Sequence, residues 1–145
     1  GVEAKLIDEA LAEYTPQNNR SQLKKTENNT LIIDAYNANP TSMMAALQNF
    51  RNMTVPHKML LLGDMRELGA ESAAEHQKIV DYIKENSFEK VWLVGEQFAA
   101  AQHSFKTYAN VQEVIKELET NKPKGYTILI KGSNGIKLSS TVEHL

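Results

Sequence analysis

The chain has 145 residues, enough for one domain with a substantial hydrophobic core. Its 16 basic and 18 acidic residues give a formal charge of −2, and Lys and Arg form no long run, which argues against a nucleic-acid scaffold. The absence of cysteine excludes disulfides and thiolate metal sites and fits a reducing cytoplasm; no stretch is apolar and long enough to span a bilayer.

In chain order, residues 3 to 13 read as an amphipathic helix with Leu6, Ile7, Ala10 and Leu11 on one stripe. A polar connector containing Pro16 follows, with a short strand expected at Ser21 to Lys25. That connector is a plausible domain boundary. Thr30 to Tyr36 is an Ile-rich run typical of a strand covered on both faces. Asn39 is placed as a helix N-cap with Pro40 at the first helical position, and the helix should reach about Phe50.

Lys58 to Leu62 is the next strand, ending in "GDMRELG". Ser72 with Glu75 forms a capping-box signature for a helix to about Asn86. Val91 to Val94 is a third strand, closed by Gly95 and followed by a short helix at about Gln97 to Gln102. "FKTY" reads as a short strand, and Asn110 with Glu113 as the start of a capped helix through Thr120. Tyr126 to Ile130 is the last strong strand, ending in "KGSNG", and a terminal helix is expected from about Ser139.

This alternation predicts an α/β fold: a Rossmann-like three-layer αβα domain with a mostly parallel sheet of about six strands. Ligands of such sheets bind beyond the carboxyl ends of the strands. Those ends carry Asp34, Tyr36, Asn37 and Asn39; then Asp64, Arg66 and Glu67; then Gly95 and Glu96; then Lys131, Ser133 and Asn134. Singly, each has an ordinary explanation. Asn and Asp cap helices and turns, Tyr36 suits a core edge, and His76 suits a surface or a satisfied core position. Their convergence on one rim is what argues for binding. No phosphate loop, dinucleotide fingerprint or nucleophile elbow is present, and His57, His76, His103 and His144 lack metal-ligand spacing.

"DAYNANPTSMMAAL", "LLGDMRELGAESAAEHQKIV" and "ILIKGSNG" resemble, in order and spacing, the C-terminal domain of the Mur ligase family. The likeness covers nearly the whole chain, although Asn134 stands where the family usually has arginine. It implies that residues 1–18 are the end of a central-domain helix and its connector, and 19–145 the C-terminal domain. The wording of the first two elements points to the member that adds D-alanyl-D-alanine to UDP-N-acetylmuramoyl-tripeptide, through an acyl phosphate, in peptidoglycan synthesis. A sister ligase adding another amino acid, or a non-catalytic α/β nucleotide-binding module, are the alternatives.

The resemblance further implies ATP as the nucleotide, with Mg held mainly by the central domain and the N-terminal and central domains as partners. It implies neither nucleic-acid binding nor membrane insertion. By the same resemblance, Arg20, Asp34, Tyr36, Asn37 and Asn39 would contact the nucleotide. Asp64, Glu67, Lys131 and Ser133 would contact the dipeptide or phosphate. No catalytic residue or metal ligand of its own is expected in this chain.

Overall fold

The computed structural model describes residues 22–34, 39–65, 68–132 and 138–145. The helix expected at residues 3 to 13 lies outside them. Among the described residues six strands form one sheet: β1 (Gln22–Lys25), β2 (Thr30–Asp34), β3 (Lys58–Gly63), β4 (Lys90–Val94), β5 (Lys106–Tyr108) and β6 (Thr127–Lys131). Their order across the sheet is β1-β2-β6-β3-β4-β5. β1 pairs antiparallel with β2 and every other pairing is parallel.

The helices are α1 (Pro40–Asn52), α2 (Ser72–Glu85), α3 (Glu96–Ala100) and α4 (Val111–Thr120), with 3-10 turns at Gly69–Glu71 and Leu138–His144. The expected strand–helix alternation is therefore present. The terminal segment is a 3-10 helix starting at Leu138, one residue before the predicted start. Among the described residues no helix is long and apolar enough to cross a membrane.

Two cores sandwich the sheet, as the continuous apolar strands require. On one face Met43, Ala46, Leu47 and Phe50 of α1 and Ile79, Val80 and Ile83 of α2 pack on Ile32, Leu60, Leu62, Leu93 and Leu129. On the other, Val111, Val114 and Leu118 of α4 and Leu138, Val142 and Leu145 cover Leu31, Met59, Leu61, Trp92, Ile128 and Ile130. Strand neighbours such as Leu31 and Ile32 thus split between the faces, because successive side chains of a strand point opposite ways. All five residues of β6 are buried, whereas the edge strand β5 buries only Tyr108.

Caps fix where the helices begin. Asn39 Oδ1 accepts the Ser42 N–H at 2.8 Å while Ser42 Oγ accepts the Asn39 N–H at 3.1 Å, a reciprocal box ahead of Pro40. Asn110 Oδ1 likewise accepts the Glu113 N–H at 3.1 Å, and Glu113 Oε2 accepts the Ala109 N–H at 2.7 Å. Asn39→Ala is expected to cost about 1 kcal/mol, read as a thermal midpoint lowered by roughly 2–4 °C. Asn39→Ser should restore most of it.

Ser72 is not the cap of α2. The residue before the helix is Glu71, in helical conformation and without a side-chain cap bond, because the 3-10 turn runs straight into α2. No extended residue precedes the helix there, so the Ser72 hydroxyl is directed elsewhere, to Gln97 Oε1 at 2.8 Å.

Candidate functional site

The carboxyl edge of the sheet is organised around β6. Asp34 of β2 sits beside Lys131 of β6, which sits beside Leu62 of β3, in one register row. One row further out, Gly63 pairs with Val94. α1, the helix that comes after β2 in sequence, packs on the first face, and so does α2 after β3. The segment after β6 packs on the second. Adjacent strands thus send the chain to opposite faces on both sides of β6, the arrangement that opens a ligand crevice in doubly wound sheets.

Lys131 is 1% exposed, an unusual burial for an ammonium-bearing residue. Gly132 follows it, and a Cβ there would lie 2.8 Å from Leu138 Cδ1 and 2.9 Å from the Gly63 Cα. The ends of β6 and β3 therefore meet backbone to backbone at the floor of the crevice. Any side chain at Gly132 would force them apart.

Asp64, the residue after β3, is 7% exposed. Its Oδ2 accepts the Gln97 N–H at 2.9 Å and its Oδ1 the Phe98 N–H at 3.0 Å. α3 has only Gly95 in its own cap position, with no side chain to serve it. Asp64 supplies that cap from the end of the neighbouring strand, and its negative charge suits the helix N-terminus. Gly95 adopts φ +116° and ψ 164°, and a Cβ there would fall 2.2 Å from Asp64 Cγ. Glycine is the residue this contact tolerates.

His76 is completely buried in the stripe of α2 that also carries Ile79, Val80 and Ile83. Its Nδ1 lies 2.7 Å from the Ser72 carbonyl, so Nδ1–H donates; its Nε2 accepts the Met65 N–H at 3.0 Å. Phe98 packs edge-on against the ring at 4.8 Å. His76 is thus a satisfied core histidine with no lone pair left for other use.

Of the residues expected at the site, the structure brings the backbone of Asp34 together with Lys131 and places Asp64 at the end of the neighbouring β3. Asn39 stands at the start of α1 with its side-chain oxygen engaged as the cap. The Asp34 side chain and Arg20, Tyr36, Asn37, Arg66, Glu67, Ser133 and Asn134 lie outside the described residues. The structural use of Asp64 was missed in the sequence, although a signal existed: a helix opening on Gly95 has no cap of its own. Glu89 and Glu117, held below the usual carboxylate range chiefly by hydrogen bonds from His57 and Lys106, are exposed pairs. Their partners His57 and Lys106 belong to the amino edge of the sheet, away from this rim.

The sequence profile described as "Mur ligase, glutamate ligase domain" matches residues 19–134. The chain belongs to the Mur ligase family. This Mur ligase domain is similar to the UDP-N-acetylmuramoyl-tripeptide–D-alanyl-D-alanine ligase of Rickettsia prowazekii, at 32% identity over 99% of this chain and 33% of the relative. The enzyme of the same name from Bacillus subtilis is 36% identical over 87% of this chain and 30% of its own length. Among solved structures, MurF from Acinetobacter baumannii superposes with a TM-score of 0.74 at 26% identity, covering 92% of this chain and 31% of that one. The Mur ligase domain therefore spans about a third of the length of the curated relatives it matches.

Proposed function

We propose that the chain is the C-terminal domain of an ATP-dependent cytoplasmic ligase that joins D-alanyl-D-alanine to UDP-N-acetylmuramoyl-tripeptide in peptidoglycan synthesis. Residues 1–18 would end the central domain and 19 onward form this one. The names of the relatives support the substrate pair, and the Asp34–Lys131–Leu62 row is the observation that carries the reading. It sets an acidic and a buried basic residue side by side where an α/β sheet takes its ligand.

In this reading ATP activates the tripeptide carboxylate as an acyl phosphate, the dipeptide amine displaces phosphate, and Mg sits chiefly on the central domain. Asp34, with Arg20, Tyr36, Asn37 and Asn39, lines the nucleotide side. Lys131 and Ser133 neutralise phosphate or dipeptide carboxylate and Glu67 faces the dipeptide ammonium, while Asp64, whose two oxygens hold the start of α3, serves that side by shaping the rim. The α1 N-terminus behind Asn39 and Pro40 favours an anion nearby. A domain offering half of a cleft suits such chemistry, because closure against the rest of the protein excludes water and aligns two reactants.

The test is phosphate release by the full-length protein given ATP and UDP-N-acetylmuramoyl-tripeptide, with D-alanyl-D-alanine or single amino acids as acceptor. Turnover that requires the dipeptide is expected; equal turnover with a single amino acid would overturn the substrate assignment. Asp34→Ala should weaken ATP binding at least tenfold, by loss of a charge-assisted hydrogen bond worth about 1.5–3 kcal/mol, while the thermal midpoint stays within a few degrees. Unchanged nucleotide affinity would remove Asp34 from the site.

A further inference from the structure

The segment leaving β3 is tied into a closed circuit of contacts. Ser72 accepts His76 Nδ1–H through its carbonyl, and His76 Nε2 accepts the Met65 N–H. Met65 is joined covalently to Asp64, whose carboxylate accepts the Gln97 and Phe98 amides. Gln97 Oε1 closes the circuit by accepting the Ser72 hydroxyl at 2.8 Å. The start of α2, the exit of β3 and the start of α3 are thereby locked to one another.

The only part of this circuit that reaches the Met65 backbone by a side chain is His76. Met65 itself is 1% exposed, so its N–H has no water to fall back on, and an unpaired buried amide is costly. The ring can serve both neighbours in one form alone. Proton on Nδ1 and lone pair on Nε2 satisfies the Ser72 carbonyl and the Met65 amide; the reverse tautomer sets a lone pair against a carbonyl and a proton against an N–H. Asp64 Oδ1 lies 4.0 Å from Nε2, too far for a hydrogen bond, and its two oxygens already hold amides of α3.

We propose that His76, in its neutral Nδ1–H form, is a positioning residue for the amine-acceptor side of the site. It fixes the Asp64–Met65 backbone at the carboxyl end of β3, the strand end that carries the acceptor side in the ligase reading. The kinetic part of this inference rests on the ligase reading above; the tautomer part does not.

Two polar substitutions separate the Met65 bond from general packing. Asn at this position reaches about as far as Nδ1 and retains a donor for Ser72, but is too short for Met65. Gln extends to the place of Nε2 and presents an oxygen to the Met65 amide. In the full-length protein, His76→Asn is expected to raise the KM for D-alanyl-D-alanine about tenfold, the size expected from one unpaired buried amide, with the KM for ATP within twofold. His76→Gln should keep both within about threefold of the parent.

Imidazole nitrogen NMR of the parent should report the Nδ1–H tautomer. Exchange of the Met65 amide should be at least tenfold faster in His76→Asn than in the parent and slowed again in His76→Gln. An Nε2–H tautomer, or equal exchange in the two variants, would overturn the proposal, as would a parallel rise in both KM values. A parent enzyme that ignores D-alanyl-D-alanine would instead sink the ligase reading, and the tautomer and exchange measurements would still decide the role of His76.

Discussion

Replacing Lys131 by Met in the full-length protein is expected to lower turnover by about 100-fold or more, the usual effect of deleting one charged donor from a site that stabilises developing negative charge. Met keeps most of the volume of the lysine stem, and Lys131 is 1% exposed in the row between Asp34 and Leu62, so the packing of β6 is largely retained. Some stability should be lost all the same. The contact that Lys131 makes in its buried setting would be lost, at about 1–3 kcal/mol. Kinetics and thermal unfolding together therefore decide the matter. Turnover within twofold of the parent would remove Lys131 from the reaction. A collapse of the thermal midpoint would show that its role is mainly structural. Lys131→Arg should not rescue, since a planar guanidinium does not fit the space of a compact ammonium.

The largest loss of stability is expected from Gly95→Ala. The backbone there, at φ +116° and ψ 164°, lies in a region open essentially to glycine, and forcing another residue into it costs roughly 1–3 kcal/mol. The new methyl would also overlap the Asp64 carboxylate, with all three of its outer atoms 2.5 Å away or closer. Moving that carboxylate releases the two α3 amides that it holds. The combined cost should reach about 4 kcal/mol, in the range reserved for specific structural injuries, or a fall in thermal midpoint on the order of 10 °C for a chain of this size. Gly69→Ala is the control: it too has positive φ, +58°, but open space around the added carbon. It should cost about 1–2 kcal/mol. In an Asp64→Ala background the Gly95→Ala cost should shrink toward backbone strain alone, since residues in contact are not additive. Additive losses would show that the overlap is relieved in some other way.

The parts of this fold that could be read in the sequence were those governed by short-range chemistry. The apolar runs that became β2, β3, β4 and β6 are continuous because both faces of the sheet are covered. Asn39-Pro40 and Asn110 announced α1 and α4 because a cap needs only its own next three residues. The same logic failed at Ser72, where the 3-10 turn at Gly69–Glu71 feeds α2 without an extended residue. The motif was present but the backbone conformation it requires was not.

The site was legible as a set of strand ends, and less so as assigned duties. Asp64 read as a substrate contact; its oxygens hold the start of α3, more than thirty residues away. His76 read as a surface residue or a satisfied core histidine, and it is the latter, four residues after Ser72 on the buried stripe of α2; which groups its ring would join, Ser72 and Met65, was not legible. Both assignments depend on which loops become neighbours at the rim. That is set by strand order, and composition carries no record of it.

Strand order also has a consequence for how the chain comes together. β6 is the last of the described strands in sequence yet lies between β2 and β3. Without Thr127–Lys131 nothing pairs β2 with β3, and the sheet divides into a β1–β2 hairpin and a β3–β4–β5 unit, each with an open apolar edge. A chain stalled or cut before β6 would offer two unpaired edges, the kind of surface that recruits other chains. Completion requires contacts spanning nearly a hundred residues, so closure should be the slow step of folding. Nascent chains ending near residue 125 should be the most aggregation-prone of any truncation series.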